Sequence, residues 1–291
     1  MRVLGIVIVY YPEKDLFDNI QTYIKYLDKL IIWDNTPTEK KGIKKFSFSE
    51  YYDKITEMGI GENVGIGEAL NNAVSYAKEK AYTHLLSMDQ DSYFKDDDCG
   101  KYISFIKGHS MNNSDCFYIP NYLVQKRQSN TIDNGWSTVN SYMTSGTIFP
   151  LDVLNKIGFF RSDFIVDTID IEYGLRAKEK KINILALHFV VLVHGAGYQG
   201  KSYKFLGKTF SPNEYSPIRT YYMIRNAIIT FKRYPDKQME KDYFYYWFFK
   251  RLCFIFFFEK DKIEKVKALF LGYFHGKKGI TGKQKIFNYE R

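Results

Sequence analysis

Two carboxylates directly after an apolar run are the strongest chemical signal in the chain. Asp89-Gln90-Asp91 follows His84–Met88, whose apolar residues predict a buried strand. Ligands of open α/β sheets gather at the carboxyl ends of the strands, and residues two apart in an extended segment point the same way. Both carboxylates could therefore reach one Mg²⁺ or Mn²⁺, hard cations that prefer oxygen ligands. The alternative is a solvated acidic turn, since Asp and Ser commonly follow strands.

A second acidic cluster lies at the start of a predicted helix, Asp167–Lys180. Asp167 and Asp170 are three residues apart and follow the apolar Phe164–Val166, which directs this turn toward the core. A half-buried carboxylate there could act as general base for an acceptor hydroxyl. The alternative is structural: the two aspartates form a capping box, and Glu172 pairs with the arginine four residues later. The residues alone leave both interpretations open.

His194 is a candidate third ligand for the cation. It ends the apolar run Phe189–Val193, and a neutral imidazole that emerges from a buried strand is a suitable metal ligand. The alternative is a hydrogen-bonded core histidine, which is the more common state of a single histidine in such a run. The position of His194 therefore permits a metal ligand without requiring one.

Two glycine-containing segments match nucleotide-binding motifs in part. Gly195–Ser202 fits the phosphate-loop pattern G-x-x-x-x-G-K-S, in which Lys201 could contact a phosphate. A phosphate loop requires a long helix next, whereas Tyr203–Phe210 is short, and most of the predicted sheet lies upstream. Gly65-Ile66-Gly67 begins a dinucleotide fingerprint, but Leu70 stands where the third glycine should be. A phosphate-loop NTPase therefore stays a minor alternative.

The elements that must position these residues alternate between strands and helices in the first half of the chain. Strands are predicted at Val3–Tyr10, Leu30–Trp33, Lys54–Met58 and His84–Met88, and helices at Asp15–Leu27 and Gly65–Lys80. Apolar strands that alternate with helices predict a mostly parallel sheet covered on both faces. This pattern indicates an α/β fold.

The second half of the chain has a different pattern. Short extended pieces from Cys116 to Pro150 predict a mixed-sheet insertion that forms a wall of an acceptor pocket, and Ile182–Val193 predicts one or two strands. Helices follow from Pro217 to about His275, with Pro235 separating two of them.

Composition and charge are those of a globular protein with a basic C-terminal part. The 291 residues are 45% hydrophobic and 26% charged, with a net charge of +9. Residues 232–291 hold fifteen Lys or Arg against seven Asp or Glu, so they carry most of that charge. Three widely spaced cysteines and a first strand that begins at Val3, with no leader before it, predict a cytoplasmic protein with reduced, buried thiols.

The C-terminal part is also unusually aromatic in a chain with 25 Tyr and 24 Phe. Tyr243–Phe258 and Val266–Phe274 are aromatic segments flanked by lysines, and Lys250 and Arg251 argue against a transmembrane helix. One interpretation is a membrane-surface element within 243–278. The alternative is a helical appendage that covers the sheet or makes a homodimer contact. Nucleic acid fits less well, since the rings do not alternate with arginines along a groove.

These segments together resemble the family 2 glycosyltransferases, particularly the rhamnosyltransferase-like branch. The resemblance covers roughly residues 3–230 and rests on seven short motifs in family order: Ile6–Pro12, Ile31–Asn35, Glu62–Asn71, Leu85–Ser92, Ser145–Leu151, Asp167–Arg176 and Tyr221–Asn226. It implies a GT-A nucleotide-sugar domain over residues 1–230, with a mostly parallel sheet flanked by helices, and a basic aromatic helical appendage over 231–291.

The resemblance also implies a donor site and a metal site. A nucleoside diphosphate would contact the following residues: Val9 and Tyr10 along the base, Asp34 at the pyrimidine N3, Asn63, Gly67 and Asn71 beside the nucleoside, and Asp89 at the ribose or the metal. Arg225, on the helix after Pro217, is a candidate for a second diphosphate contact, and the alternative for it is a solvated helix face. Asp89, Asp91 and His194 would bind Mn²⁺ or Mg²⁺.

The implied reaction is an inverting glycosyl transfer in polysaccharide synthesis. Asp170 aligns with the catalytic base of the family, and Asp167 is the second candidate, since Ile169 stands where the wider family often has an acidic residue. The donor would be a dTDP- or UDP-linked hexose, and the acceptor a glycan or a polyprenyl-diphosphate-linked sugar selected by loops such as Trp136–Met143. That acceptor would place the enzyme at the inner face of the cell membrane.

Two other classes of protein stay open at this point. A sugar nucleotidyltransferase would require a glycine-rich, basic loop after the first strand, and Tyr10–Lys14 is neither. A non-enzymatic membrane-binding scaffold would need neither the divalent metal nor Asp170.

Overall fold

A computed structural model describes residues 1–38, 51–109, 115–124, 127–128, 133–195, 203–205, 208–210, 214–235 and 237–284. The chain divides into two compact units. The first unit comprises Met1–Arg161 and Tyr173–Gly195, and the second comprises Ser162–Glu172 and Ala196–Arg291. The predicted boundary after residue 230 falls inside a helix, and its value as a division between domains stays a prediction.

The first unit contains the predicted parallel sheet. Its strands are β1 (Val3–Val9), β2 (Lys29–Asp34), β3 (Ile55–Met58) and β4 (His84–Asp89), and its first helices are α1 (Leu16–Ile24) and α2 (Ile66–Glu79). The strands lie in the order β3-β2-β1-β4, all parallel, and α2 packs against β1 and β4. The interior strands are apolar because both of their faces are buried. The α/β prediction is therefore confirmed.

The other half of the sheet is mixed. It contains β5 (Ser92–Phe94), β6 (Cys116–Val124), β7 (Arg127–Gln128), β8 (Trp136–Val139), β9 (Thr147–Pro150) and β10 (Asn183–His194), with helices α3 (Asp98–His109) and α4 (Leu151–Ile157). The order continues β4-β9-β6-β10-β5, with β7 on β6 and β8 on β10. The segment from 116 to 150 is therefore not an insertion, because β6 and β9 are interior strands of the main sheet.

The second unit is mainly helical. It contains α6 (Pro217–Arg233), α7 (Lys237–Phe258) and α8 (Lys262–Lys278), together with a hairpin of β11 (Tyr203–Phe205) and β12 (Lys208–Phe210). Helix α5 (Ile169–Glu179) begins in this unit and continues in the first. The hairpin occupies the place where a phosphate loop requires a helix, so that motif does not lead into the fold it needs. Lys201 lies outside the described residues.

Helices α6 and α8 approach each other closely at two glycines. A Cβ on Gly272 would lie 2.6 Å from the Tyr221 carbonyl oxygen, and one on Gly276 would lie 2.8 Å from Ile228 Cβ. No larger residue fits at these positions without separating the helices. The close approach buries the apolar side of α6 against α8.

The cysteine prediction is confirmed at two positions and wrong at the third. Cys99 and Cys116 are buried free thiols, and burial raises the pKa of each. Cys253 is exposed on α7. Of the helices in the described part of the chain, none combines the length and the apolar character needed to cross a bilayer.

Candidate active site

Asp89, Asp91 and His194 form a compact group in the first unit, the metal group. One ligand atom from each residue lies within 4.8 Å of the others, and His194 Nδ1 lies 3.6 Å from Asp91 Oδ1 and 3.9 Å from Asp89 Oδ2. The side chains are 42%, 38% and 22% exposed, in the order Asp89, Asp91 and His194, so a ligand can reach them from solvent. Two carboxylates and an imidazole are a donor set that suits Mn²⁺ or Mg²⁺.

The sheet topology brings this group together. Asp89 ends β4, Asp91 precedes β5, and β5 pairs antiparallel with β10 so that Ser92 lies opposite His194. The three side chains therefore meet where β4 and β10 end, although His194 follows the two aspartates by about a hundred residues in the chain. This is the site geometry that strand-end chemistry predicts.

Several hydrogen bonds hold the group in place, and sequence reasoning did not identify the residues that make them. Ser92 Oγ, fully buried, lies 2.7 Å from His194 Nδ1. The Asp89 N–H donates to Ser145 Oγ at 3.0 Å, and Gln90 Oε1 accepts from the Tyr10 N–H at 2.8 Å. A partner on one ring nitrogen fixes the orientation of a ligating histidine. Both serines and the glutamine lie within the motifs of the family resemblance, and this position is the only sequence signal for their role.

Gly195 provides the space that Asp91 occupies. A Cβ at this position would lie 2.8 Å from Asp91 Oδ2 and 2.9 Å from Asp91 Cβ, and the Gly195 N–H donates to the Asp91 carbonyl at 2.9 Å. Any larger residue would displace the carboxylate. The first glycine of the phosphate-loop-like motif therefore has a steric role beside the metal group.

The predicted base-binding residues lie on the neighbouring edge of the same sheet. Val9 and Asp34 are register partners at the ends of β1 and β2. Asp34 Oδ1 accepts from the Thr36 N–H at 2.7 Å, and the partly exposed Tyr10 follows Val9. Burial raises the pKa of Tyr10, and so does the adjacent Tyr11, so its hydroxyl stays protonated.

Asn35 links this edge to the loop before α2, another role that sequence reasoning missed. Its Oδ1 accepts from Trp33 Nε1 at 3.1 Å and from the Val64 N–H at 3.3 Å, and its Nδ2 donates to the Gly65 carbonyl at 3.4 Å. The buried amide thus fixes the loop that carries Asn63.

The three residues expected beside the nucleoside have different surroundings. Asn63 Oδ1 accepts from the Gly65 N–H at 2.9 Å, and its side chain also bonds Tyr10. Gly67 is buried in the first turn of α2. Asn71 binds the backbone of Phe160 with both of its side-chain atoms, at 3.0 and 2.8 Å. Asn71 is therefore a support of the Phe160 segment.

Asp167 and Asp170 lie in the second unit, at the start of α5. Asp167 is not a helix cap: its two oxygens accept hydrogen bonds from Arg219 Nε and Nη2 at 3.0 and 3.1 Å. Asp170 is half-buried, and its Oδ1 accepts from the Ile171 N–H at 2.9 Å. The approach of Asp170 to the metal group stays a prediction.

Arg225 has a different environment from the one expected. The side chain is fully buried in the second unit, where it donates to the Gly282 carbonyl at 2.6 Å, to the Asp163 carbonyl at 2.8 Å and to Asn226 Oδ1. It is neither on a solvated helix face nor exposed toward a diphosphate. The proposed donor site is therefore drawn without Arg225.

Comparisons with known proteins identify a sequence relative and similar folds. No family model matches the chain. A curated relative, the dTDP-rhamnosyl transferase RfbF of Shigella flexneri, is 23% identical over 97% of both chains. S. aureus TarS residues 1–349 in complex with UDP-GlcNAc superposes with a TM-score of 0.54 at 12% identity, covering 96% of this chain and 92% of that one.

A second solved structure has the same fold. GalNAc-T7 with UDP, GalNAc and Mn²⁺ superposes with a TM-score of 0.59 at 10% identity, over 84% of this chain. This chain spans half of the GalNAc-T7 chain. The expected GT-A fold is confirmed, and the chain resembles the rhamnosyltransferase-like family 2 glycosyltransferases: it is a metal-dependent glycosyltransferase that uses a nucleotide sugar.

Proposed function

We propose that the enzyme transfers a hexose with inversion to a hydroxyl of a glycan or lipid-linked acceptor in polysaccharide synthesis. The observation that carries the proposal is the Asp89, Asp91 and His194 group, which lies at the strand ends next to the Val9 and Asp34 edge. The first choice of donor is dTDP-rhamnose, the donor class named for the Shigella relative. A UDP-linked hexose is the second choice, since UDP and UDP-GlcNAc are bound in the similar structures.

The edge formed by β1 and β2 is the proposed site of the pyrimidine base. Asp34 Oδ1 already accepts from Thr36, and we assign Oδ2 to the N3–H of the base. Tyr10 supplies aromatic surface along the ring and is 37% exposed, so the base can cover it, while Val9 is fully buried at the end of β1 and positions Tyr10. Asn63 and Gly67 flank the nucleoside, and Asn71, the third predicted residue, binds the backbone of Phe160.

The diphosphate is assigned to the metal group. Bound there, Mn²⁺ or Mg²⁺ would neutralise the charge that grows on the departing nucleoside diphosphate. Asp89 and Asp91 supply oxygen ligands, Ser92 orients the imidazole of His194, and Gly195 leaves room for Asp91. These residues form a preorganised anionic site that is suited to a divalent cation.

Asp170 is the proposed general base. It takes the proton from the acceptor hydroxyl while the hydroxyl oxygen forms a bond to C1 of the sugar and the bond from C1 to the diphosphate oxygen breaks. Attack from the face opposite the leaving group inverts C1 in one displacement. Asp167 is the weaker candidate, since both of its oxygens are engaged by Arg219.

Metal-dependent nucleotide binding tests the proposal directly. We expect dTDP, UDP or both to raise the melting temperature when Mn²⁺ is present and to leave it unchanged in EDTA. A ligand that binds only the folded state at about 100 times its Kd adds about 2.7 kcal/mol of stability. A thermal-shift screen of dTDP, UDP, GDP and ATP with and without the metal measures this, and a preference for ATP would contradict the proposed donor.

We also propose that the second unit docks on an anionic membrane through an apolar surface on α7 and α8. This surface consists of Phe249, Phe256, Phe257, Ile263, Phe270 and Phe274, which are 43% to 72% exposed. The ring of Phe248 links the two helices, with centroids 5.7 Å from Phe249 and 5.8 Å from Phe270. The side chains of residues 243–247, part of the predicted segment, lie outside the described residues.

The charges around the apolar surface favour anionic lipid as its partner. Between residues 248 and 284 the outward-facing charged residues are seven lysines (Lys250, Lys260, Lys262, Lys267, Lys277, Lys278 and Lys283) and two acids (Asp261 and Glu264). Arg251 and Lys265 do not contribute, because both are buried in an ion cluster with Glu259. Exposed rings bordered by lysines fit the headgroup region of an anionic membrane, such as the cytoplasmic face that carries polyprenyl-linked acceptors.

A vesicle experiment checks the membrane proposal. Wild-type protein should pellet with phosphatidylglycerol-containing vesicles, less so in high salt, and the double change Phe256→Ser and Phe257→Ser should weaken binding by about tenfold or more, because two apolar side chains leave the bilayer. Phe159→Ser, at an exposed ring in the first unit, is the control. No pelleting, or a dimer in sedimentation analysis that the double variant abolishes, would overturn membrane docking.

A further inference from the structure

The segment that precedes α5 holds an unfavourable backbone conformation. Ile165, Asp167 and Thr168 have φ angles of 40°, 61° and 67°. The left-handed region is costly for residues with a Cβ, and most of all for β-branched ones such as Ile and Thr. Three such residues within four positions persist only when surrounding contacts fix them. Asp170 follows two residues later.

Asn226 on α6 supplies most of those contacts. Its Nδ2 donates to the carbonyls of Phe164, Val166 and Asp167 at 3.0, 2.9 and 3.1 Å. The side chain is fully buried, so water cannot replace these bonds when they are lost. One amide therefore anchors the turn at three carbonyl groups.

Arg225 fixes which way the Asn226 amide faces. Arg225 Nε and Nη2 donate to Asn226 Oδ1 at 2.9 and 2.8 Å, so the nitrogen must point toward the carbonyls. Arg225 also holds the Asp163 carbonyl at the start of the turn, and its guanidinium lies 4.7 Å from the ring centroid of Tyr222. Arg225 and Asn226 thus act together to hold the turn.

We infer that Arg225 and Asn226 are positioning residues, which hold the 163–168 turn in the strained conformation from which Asp170 acts as the general base. The inference rests on the proposed function, since it concerns the base of that reaction. It also explains why a fully buried arginine–asparagine pair stands on α6: the pair acts through the backbone of the turn, without contact to the donor.

The test is Asn226→Asp, which keeps the shape of the side chain and its bonds from Arg225 but replaces the N–H donors by an oxygen. We expect kcat to fall by about 100-fold, the cost of a displacement of roughly 1 Å at a reacting group. The KM for the donor and its metal-dependent thermal shift should stay within about twofold, because the affected turn carries no donor ligand. Hydrogen exchange of the amides in 163–170 should become faster.

Thr230→Val is the matched control, four residues along α6. Its buried hydroxyl has no hydrogen-bond partner among the described residues, so loss of the hydroxyl should leave kcat and the exchange of 163–170 unchanged. If Asn226→Asp does not fold, Arg225→Lys serves instead. Lysine keeps the charge but cannot bond Gly282, Asp163 and Asn226 at the same time. Normal kcat in a folded variant of either residue would overturn the inference.

The two proposals fail in different ways. Full activity of Asp170→Asn would reject Asp170 as the general base, and with it the proposed role of the strained turn. An inactive Asp170→Asn together with a fully active Asn226→Asp would leave the base in place and reject only the positioning role.

Discussion

Replacement of Asp170 by asparagine is expected to lower kcat by about 10²–10⁴-fold, the usual contribution of a general base. The amide has nearly the shape of the carboxylate but cannot take the acceptor proton. Donor binding should persist, because the residues assigned to the nucleotide and the metal, such as Asp34 and Asp91, lie in the first unit. Steady-state kinetics with the donor, together with its metal-dependent thermal shift, measures both effects.

Asp167→Asn distinguishes the two candidate bases. Asp167 is paired with Arg219 through both oxygens, so its replacement should weaken the turn and lower kcat less than the change at Asp170 does. Asp152→Asn, at an exposed carboxylate on α4, should behave as wild type. A larger loss from Asp167→Asn than from Asp170→Asn would exchange the roles of the two residues.

The second large effect is expected from Asp91→Asn. This change removes one of the two carboxylates of the metal group. We expect the affinity for Mn²⁺ to fall by more than the 10–100-fold that is typical when a residue hydrogen-bonded to a metal ligand is changed. Stabilisation by dTDP or UDP in the presence of Mn²⁺ should then disappear, since it depends on the bound cation. Calorimetric titration of the metal and the same thermal-shift screen report the two losses separately.

Two further variants show whether the loss is specific to the metal group. Ser92→Ala leaves the ligands in place but frees the imidazole of His194, so it should give an intermediate loss of about 10–100-fold in metal affinity. Asp18→Asn, at an exposed carboxylate on α1, makes the same charge change elsewhere and should have no effect. Wild-type metal affinity in Asp91→Asn would reject the assigned metal site.

Much of the metal group could be predicted from the sequence, because it depends on strand ends. Apolar runs identify β4 and β10, and the residues that follow such runs lie along the ligand-binding edge of the sheet. Asp89, Asp91 and His194 stand at these ends, and the structure brings them within 4.8 Å of one another. Val9 and Asp34, which the family resemblance assigned to the base, are register partners at the ends of β1 and β2.

The predictions that failed depend on contacts between distant segments. An arginine on an amphipathic helix is normally solvated, but α8 and the turn before α5 enclose Arg225. Arg251 and Lys265 count among the fifteen basic residues of 232–291, but both are buried around Glu259. The interior position of β6 and β9 likewise follows from strand order, which local periodicity does not encode.

A cation bound by the metal group would also affect the edge strand β5. This strand is only three residues long, lies at the end of the strand order, and pairs with β10 through Ser92, Tyr93 and Phe94. A cation shared by Asp91 and His194 would tie the residue before β5 to the end of β10, so metal binding would also stabilise this margin of the sheet.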